Sequence, residues 1–174
     1  MNNNNKSFLD LSKKEISEVV ESFGELPYRS VQLEDWIYKK YVERWRDMNN
    51  LPQKLVSKLD SSFKLHPLTE ISSSGQSNDP AQKFLFQTSK KNKIESVLMY
   101  QKNRTTICVS SQSGCAVDCK FCATALMGFK ENLSPGEIVD QFLHLSKKSK
   151  SRVTNVVFMG MGEPFLNYKN VSKA

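Results

Sequence analysis

Three cysteines, Cys115, Cys119 and Cys122, lie within the segment GCAVDCKFCATALMGF at residues 114–129. Thiolates on a short loop are the ligands that hold iron–sulfur clusters. Four thiolates saturate a cubane, whereas three leave one iron with open positions where a substrate can bind. The cysteine spacing therefore predicts a cluster loop over 114–129.

Two other interpretations of these cysteines stay open from the residues alone. A structural zinc site normally needs four protein ligands, and the nearest further donors, Cys108 and His144, lie on a predicted strand and a predicted helix. Buried cysteines also pack as small apolar residues, but Asp118 and Lys120 stand between the three thiols. The spacing favours a cluster over zinc and over core packing.

A second candidate site is the glycine-rich segment FMGMGEP, which contains Gly160, Gly162 and Glu163 and follows an apolar predicted strand. Ligands of α/β proteins bind at the carboxyl ends of parallel strands. Glycines there permit close backbone approach. The alternative, a tight turn with no ligand, stays open.

The elements that must position these residues fall into two groups. The first group is helical: the pattern predicts a helix that begins with a capping box of Ser12 and Glu15, then helices over 27–41 and 52–63. Residues 72–80 (SSSGQSNDP) have the composition of a turn or linker. We therefore predict a small helical accessory domain over residues 1–71.

The second group alternates strands with a helix. The segments KFLFQTS, ESVLMYQ and TTICVSS are predicted strands, and residues 134–147 form a predicted helix with Ser134 as its N-cap. An apolar strand follows this helix. The order strand, loop, helix, strand predicts parallel βα packing, and so an α/β domain over 72–174.

Charge indicates the kind of partner. The 174 residues include 25 Lys and Arg against 18 Asp and Glu, a net charge of +7, which favours a polyanion such as nucleic acid. A merely soluble basic surface is the alternative. In the helical segment, cations alternate with aromatic residues: Arg29, Lys39, Lys40, Arg44 and Arg46 lie near Tyr28, Trp36, Tyr38 and Trp45. We expect the cations to contact RNA and most of these aromatics to form core.

The sequence contains no apolar run of the roughly 18 residues that a membrane span needs. Its start, MNNNNKSFLD, has no apolar signal core. We therefore expect a cytoplasmic protein without a membrane partner. In that compartment the density of cysteines favours metal binding or catalysis over a disulfide framework.

The C-x3-C-x2-C spacing, with Phe121 before the last cysteine, resembles the signature of radical S-adenosylmethionine (SAM) enzymes. More closely, the segments IESVLMY, TTICVSSQSGC and VTNVVFMGMGEPFLNY are similar to the RlmN-type adenine-C2 methyltransferases of ribosomal and transfer RNA. The segment PYRSVQLEDWIYKKYVERW resembles the helical accessory domain of that family. The related Cfr-type C8 methyltransferases share the cysteine loop.

The resemblance implies two cofactors and a fold. Cys115, Cys119 and Cys122 would bind a [4Fe-4S] cluster whose fourth iron chelates SAM, and Gly162 and Glu163 would contact SAM. An electron donor such as flavodoxin or ferredoxin would reduce the cluster, and SAM would then be cleaved to methionine and a 5′-deoxyadenosyl radical. The fold would be the start of a TIM-like (βα) barrel, truncated here.

The resemblance also implies a two-step methylation. One SAM methylates a cysteine near the family's C-terminus, and the radical converts that methyl group into a species that adds to C2 of adenine. Cys108 matches the cysteine that resolves the adduct through a transient disulfide, and Glu95 matches the proton acceptor. By residue type alone, Cys108 is a buried strand cysteine and Glu95 a solvated glutamate.

Members of this family are considerably longer, and their methyl-carrying cysteine has no counterpart among the four cysteines of this sequence. We therefore expect the chain to be inactive alone; we also expect it to be a monomer. Whether it is a fragment, a truncated gene product or half of a split gene stays open. Two further alternatives are a radical SAM enzyme with another substrate and a non-enzymatic, metal-bearing RNA-binding module.

Overall fold

The computed structural model describes residues 6–76 and 79–174. The chain forms two compact units, which divide between Pro67 and Leu68. Ser77 and Asn78 of the predicted linker lie outside the described residues, as does the MNNNN start on which the expectation of no signal segment partly depends. Within the described ranges, no helix is both long and apolar enough to span a membrane.

The first unit is helical, as predicted. Its helices are α1 (Lys13–Ser22), α2 (Tyr28–Glu34), which continues into a π-helical turn (Asp35–Lys39), and α3 (Gln53–Ser62). The predicted capping box is present: Ser12 Oγ accepts a hydrogen bond from the Glu15 N–H, and the Glu15 carboxylate accepts one from the Ser12 N–H at 2.7 Å.

Aromatic packing forms the centre of this unit. Phe8 contacts Trp45 and Phe63 edge to face, at ring-centroid distances of 5.0 and 5.6 Å. The Trp45 indole N–H donates to the Phe63 carbonyl at 3.2 Å. Trp45 is therefore a core residue. Tyr28 and Tyr38 are exposed and Trp36 is half-buried, so the expectation that most of these aromatics form core is wrong.

The second unit contains a five-stranded sheet in the order β1-β2-β3-β4-β7. These strands are β1 (Thr69–Ser74), β2 (Ala81–Gln87), β3 (Lys93–Gln101), β4 (Arg104–Cys108) and β7 (Asn155–Val157). The first three pairings are antiparallel, as short connections require, and β4 pairs with β7 in parallel. The predicted parallel βα packing is thus confirmed for β4, α4 (Pro135–Lys148) and β7.

The prediction of a turn or linker over 72–80 is wrong at its beginning. Residues 72–74 belong to β1 and pair with residues 83–85 of β2, although their side chains are serines. The chain reverses only afterwards, where Gly75 has φ +95°. Backbone hydrogen bonds to a neighbouring strand, rather than side-chain propensity, make this segment extended.

The two faces of the sheet differ. On one face the buried core contains Phe86, Ile94, Leu98 and Ile107, which pack in one cluster with Ile138 of α4. Because side chains alternate along a strand, the intervening residues of β3 and β4 project from the other face. This second face, which we call the open face, carries Glu95, Val97 and Cys108.

A short hairpin carries the cysteine loop. Its strands are β5 (Gln112–Ser113) and β6 (Glu131–Asn132), which pair antiparallel. Helix α4 follows, and Ser134 is its N-cap in a capping box with Glu137, as predicted. The last helix, α5, spans Tyr168–Lys173.

Candidate metal centre and strand-end site

The cysteine loop is closed by backbone packing at two glycines. Gly114, at φ +73°, begins the loop, and a Cβ built there would lie 1.8 Å from the Gly128 carbonyl oxygen. Next to this close approach of the two glycines, the Lys130 N–H donates to the Ser113 carbonyl at 2.9 Å. Only glycine at position 114 permits the two ends of the loop to approach so closely.

Within the loop, the three cysteines are half-buried free thiols. The Cys122 N–H donates to the Cys119 carbonyl at 2.9 Å, and the Val117 N–H donates to Cys115 Sγ at 3.5 Å. Asp118 adopts a left-handed conformation with φ 53°, which is uncommon outside glycine. These turns keep the three thiols on one short, exposed segment.

The electrostatic surroundings of the cysteines differ. The Thr124 N–H, then the Ala125 N–H and the Thr124 hydroxyl, donate to Cys122 and lower the pKa of its thiol. Burial raises the pKa of Cys108, which lies on β4 outside the loop. Metal binding requires thiolates, so the lowered pKa favours Cys122 over Cys108 as a metal ligand.

This donor set fits a cluster with three protein ligands. The loop offers three thiols and no fourth cysteine, and the fourth cysteine of the chain is 7% exposed on a strand. A four-cysteine zinc site would need that buried residue to leave the sheet. The assignment of Cys115, Cys119 and Cys122 as cluster ligands stays a prediction that this geometry supports.

The glycine-rich strand end lies directly beside the segment that enters the cysteine loop. The Ser111 and Gln112 N–H groups donate to the Met161 carbonyl at 2.9 and 3.2 Å. The Met161 N–H donates to Ser110 Oγ at 2.8 Å. Residues 110–112 thus connect the end of β7 to the start of the loop.

Gln112 fixes the glycine turn and is a residue that sequence reasoning missed. Gly162 has φ +94°, and a Cβ there would lie 2.5 Å from Gln112 Cβ. The Glu163 N–H donates to Gln112 Oε1 at 2.9 Å, and the Glu163 carboxylate accepts from the Phe165 N–H at 3.0 Å. No local sequence signal marks Gln112, because its partners are about 50 residues further along the chain.

A second missed residue is Gln141 on α4, which is fully buried. Its side chain accepts from the Ser96 hydroxyl and the Ser110 N–H, both at 2.7 Å, and donates to the Ser110 carbonyl at 3.0 Å. It therefore fixes the β4–β5 connection against the helix. A glutamine on the apolar face of a predicted helix is the signal that could have identified it.

Glu95 and Cys108 share the open face of the sheet. Val97 lies directly opposite Cys108 in the antiparallel register, and Glu95 is two residues from Val97. The Glu95 carboxylate lies 3.0 Å from Lys83 Nζ. The structure thus brings the two predicted catalytic residues onto neighbouring strands and one face, while their roles stay predictions.

The cations of the helical unit are partly neutralised within that unit. Lys39 pairs with Asp35 at 2.6 Å, and Arg44 pairs with Asp47 at 2.8 Å. Lys40 Nζ lies 3.6 Å from the centroid of the Trp36 ring, a cation–π contact. Paired cations attract phosphate less strongly than unpaired ones, so this surface contributes fewer free charges than its sequence indicates.

A buried carboxylate, Glu131, anchors β6 beside the cysteine loop. Its side chain accepts from the Thr88 hydroxyl at 2.7 Å and the Asn92 amide at 2.8 Å, and it lies 3.2 Å from Lys90 Nζ. Burial alone would raise the pKa of Glu131, but the hydrogen bonds from Asn92, Thr88 and Lys90 outweigh it and lower the pKa.

We expect Glu131→Gln to destabilise the chain at pH 7 by about 1–3 kcal/mol, the usual cost of disrupting a buried hydrogen-bonded charge. Since the folded-state pKa is lowered, this stabilisation exists above the ordinary glutamate pKa of 4.5 and disappears as pH falls below it. Urea unfolding of the metal-free wild type and variant is measured at pH 7 and at a pH below the lowered folded-state pKa of Glu131. The difference between their free energies of unfolding should be smaller at the lower pH.

The control for this prediction is Glu18→Gln, because Glu18 is 60% exposed in a surface pair with Lys14. Such helix pairs contribute only about 0.3–0.5 kcal/mol. If both variants lost the same free energy of unfolding, or if the loss in Glu131→Gln did not depend on pH, the stabilising role of the buried carboxylate would be contradicted.

Comparisons with known proteins agree with these two units. Residues 6–65 match the family described as "Ribosomal RNA large subunit methyltransferase N-terminal domain", and residues 109–174 match the "Radical SAM superfamily". A crystal structure of a radical SAM methyltransferase from Sphaerobacter thermophilus superimposes with a TM-score of 0.91 at 37% identity, covering 97% of this chain and 50% of that chain. This likeness confirms the prediction of an α/β fold that begins a TIM-like barrel.

Two curated relatives bear the name "Probable dual-specificity RNA methyltransferase RlmN". The protein of Thermotoga petrophila is 41% identical over 169 residues, which are 97% of this chain and 49% of the relative. The protein of Aquifex aeolicus is 44% identical over 163 residues, which are 91% of this chain and 46% of the relative. The chain therefore spans about half the length of the curated relatives it matches.

The cysteine loop and the strand-end glycines both lie in the segment that matches the radical SAM superfamily, a class that implies a [4Fe-4S] cluster and SAM as cofactors. Within that class the chain is similar to the RlmN proteins, over the half of their length that it matches.

Proposed function

We propose that this chain is the cluster-binding part of a radical SAM RNA methyltransferase that methylates C2 of an adenine in 23S ribosomal RNA and in tRNA. The observation that carries the proposal is the direct hydrogen bonding between the strand end at Met161–Glu163 and residues 110–112, which lead into the cysteine loop. A cluster site and a SAM site would thus be adjacent.

Three residues would hold the cluster and two would bind SAM. Cys115, Cys119 and Cys122 are the proposed cluster ligands, and Gly162 and Glu163 are the proposed SAM contacts. When bound, these cofactors supply the one-electron chemistry that abstracts a hydrogen atom. The chain's part is to exclude a fourth protein ligand and to fix the turn at Gly162, which Gln112 supports.

Glu95 and Cys108 would act on the RNA adduct from the open face. Glu95 is half-exposed, so it can reach a base and accept the proton that leaves C2. Cys108 would resolve the adduct through a transient disulfide with a cysteine outside this chain, since the other three cysteines are the proposed cluster ligands. All four cysteines are free thiols in the structure.

The remaining partners belong to the same proposal. The RNA substrate would be ribosomal RNA and tRNA, the electron donor a flavodoxin or ferredoxin, and the protein a cytoplasmic monomer. The Cfr-type C8 reaction is the alternative that shares the cysteine loop. The segment GMGEPFLNY is more similar to the C2 group, which is why C2 is proposed.

A chimera tests this function, because the chain matches about half of its Thermotoga petrophila relative. The chain is joined to the part of that relative which it does not match, loaded with iron anaerobically, and incubated with SAM, a reductant and ribosomal RNA. We expect 2-methyladenosine in the digested RNA by mass spectrometry.

Two variants of the chimera connect the activity to this chain. Glu95→Gln should lower methylation by at least about 100-fold, the usual effect of removing a general base. Cys108→Ala should prevent release of methylated RNA, because the adduct could not be resolved. Neither should change the iron content, because neither residue lies in the cysteine loop. Formation of 8-methyladenosine, or no methylation by a folded, iron-loaded chimera, would overturn the proposed reaction.

A further inference from the structure

The turn between β2 and β3 presents a group of lysines in a fixed conformation. The Thr88 N–H donates to the Asn92 carbonyl at 2.8 Å, and the Lys91 N–H donates to the Thr88 carbonyl at 2.9 Å. Lys91 has φ +70°, the left-handed conformation that such a tight reversal needs. Lys90, Lys91 and Lys93 are all exposed on this turn.

Further hydrogen bonds join the turn to the base of the cysteine loop. Thr88 and Asn92 both bind the Glu131 carboxylate of β6. The Ser113 hydroxyl, one residue before the loop, donates to the Lys93 carbonyl at 3.0 Å. Lys130, next to Glu131, is also exposed. We call the group Lys90, Lys91, Lys93 and Lys130 the lysine rim.

The rim has an excess of exposed positive charge. Lys90 pairs with Glu131, whereas no acidic partner lies within ion-pair distance of Lys91, Lys93 or Lys130 in the described ranges. The carboxylates at this edge, Glu131 and Glu137, are only 7% and 6% exposed. Solvent and any partner therefore meet the lysines rather than the acids.

The rim borders the open face of the sheet. Lys93 and Glu95 are two residues apart on β3, so their side chains project from the same face, which also carries Cys108. Because β3 runs antiparallel to β4, the turn lies at the carboxyl end of β4. An extended polyanion bound at the rim would pass beside Glu95.

We propose that Lys91, Lys93 and Lys130 bind the phosphate backbone of the RNA substrate and hold it beside the open face. This inference depends on the proposed function for the identity of the polyanion. RNA is favoured over an acidic protein because lysine is depleted from protein–protein interfaces, whereas phosphate contacts are commonly made by lysine. The anchored turn also limits the entropy lost on binding.

Fluorescence anisotropy tests the proposal with the full chain and a labelled RNA stem-loop that has an unpaired adenine in its loop. The test variant combines Lys91→Gln, Lys93→Gln and Lys130→Gln. The control combines Lys102→Gln, Lys150→Gln and Arg152→Gln, which removes the same charge at the opposite end of the sheet. Binding is measured over a series of KCl concentrations.

We expect the rim variant to weaken binding at least about 10-fold in low salt and to reduce the slope of log K against log salt by about 2–3, since each phosphate contact contributes about 0.7–0.9. The control should change the slope by less than about 1. A charge-retaining variant with arginine at the three rim positions should restore binding, which separates loss of charge from loss of folding.

The outcomes separate this inference from the function on which it depends. If the wild-type chain binds no RNA at all, the proposed function fails. If the wild type binds RNA but the two glutamine variants weaken it equally, the rim is not the binding surface and only the inference fails. If the rim variant bound RNA as well as the wild type but no longer bound a flavodoxin, the rim would be assigned to an electron donor and the inference would be overturned.

Discussion

Cys119→Ala is expected to abolish iron binding by this chain. Wild-type protein reconstituted anaerobically with iron and sulfide should hold about four irons and be brown, as a cubane cluster requires. With Cys119 removed, the loop retains only Cys115 and Cys122, and two thiolates do not hold a cubane. Iron and sulfide analysis of the desalted protein, with its visible spectrum, measures the loss.

Cys108→Ala is the matched control, since it also removes one thiol but from β4 rather than from the loop. It should keep about four irons. If Cys119→Ala retained full iron, the ligand assignment would be wrong. If Cys108→Ala lost iron as completely as Cys119→Ala, the buried cysteine would be a fourth ligand and no open iron would remain.

The second large effect is expected for Gly114→Ala. The new methyl group would lie 1.8 Å from the Gly128 carbonyl oxygen. Because both groups are attached directly to the backbone, no side-chain movement relieves the clash and the two ends of the loop must separate. The cysteines would then lose their common turn, and iron loading should fall to a small fraction of the wild type. Iron content after identical reconstitution, with thermal unfolding of the metal-free protein, measures both consequences.

Gly128→Ala separates the steric contact from backbone strain. Gly128 also has a positive φ, +63°, but a Cβ there would meet nothing within 4 Å. Its ψ is 167°, a conformation that is essentially restricted to glycine, so alanine should cost roughly 1–3 kcal/mol there but should still permit iron binding. If Gly114→Ala and Gly128→Ala lost iron equally, the close approach of the backbone at Gly114 and Gly128 would not be what holds the loop.

Local patterns account for much of the agreement between sequence and structure. The capping boxes at Ser12 and Ser134 need only residues three positions apart, and both are present. The three cysteines also lie within one short loop, so their spacing could be read directly. Residues 72–74 show the limit of this reasoning, because hydrogen bonds to β2 outweigh the turn composition of the serines.

The supporting contacts of the site could not be predicted, because they join distant parts of the chain. Gln141 reaches Ser110 across 31 residues, and Glu131 reaches Thr88 across 43. Such pairs depend on the register of the sheet, which a single sequence does not fix. The approach of Gly114 to Gly128 has the same origin, although both glycines were visible in the sequence.

In the cluster proposed for this loop, one iron has no protein ligand. Electron paramagnetic resonance of the reduced, reconstituted chain with and without SAM tests this assignment most directly. Direct coordination of SAM to an iron without a protein ligand predicts a [4Fe-4S]⁺ signal whose g values change when SAM is added. The same addition should leave the Cys119→Ala protein without any such signal. A cluster spectrum that saturating SAM does not alter, or purified protein that holds zinc instead of iron, would contradict a radical SAM site at Cys115, Cys119 and Cys122.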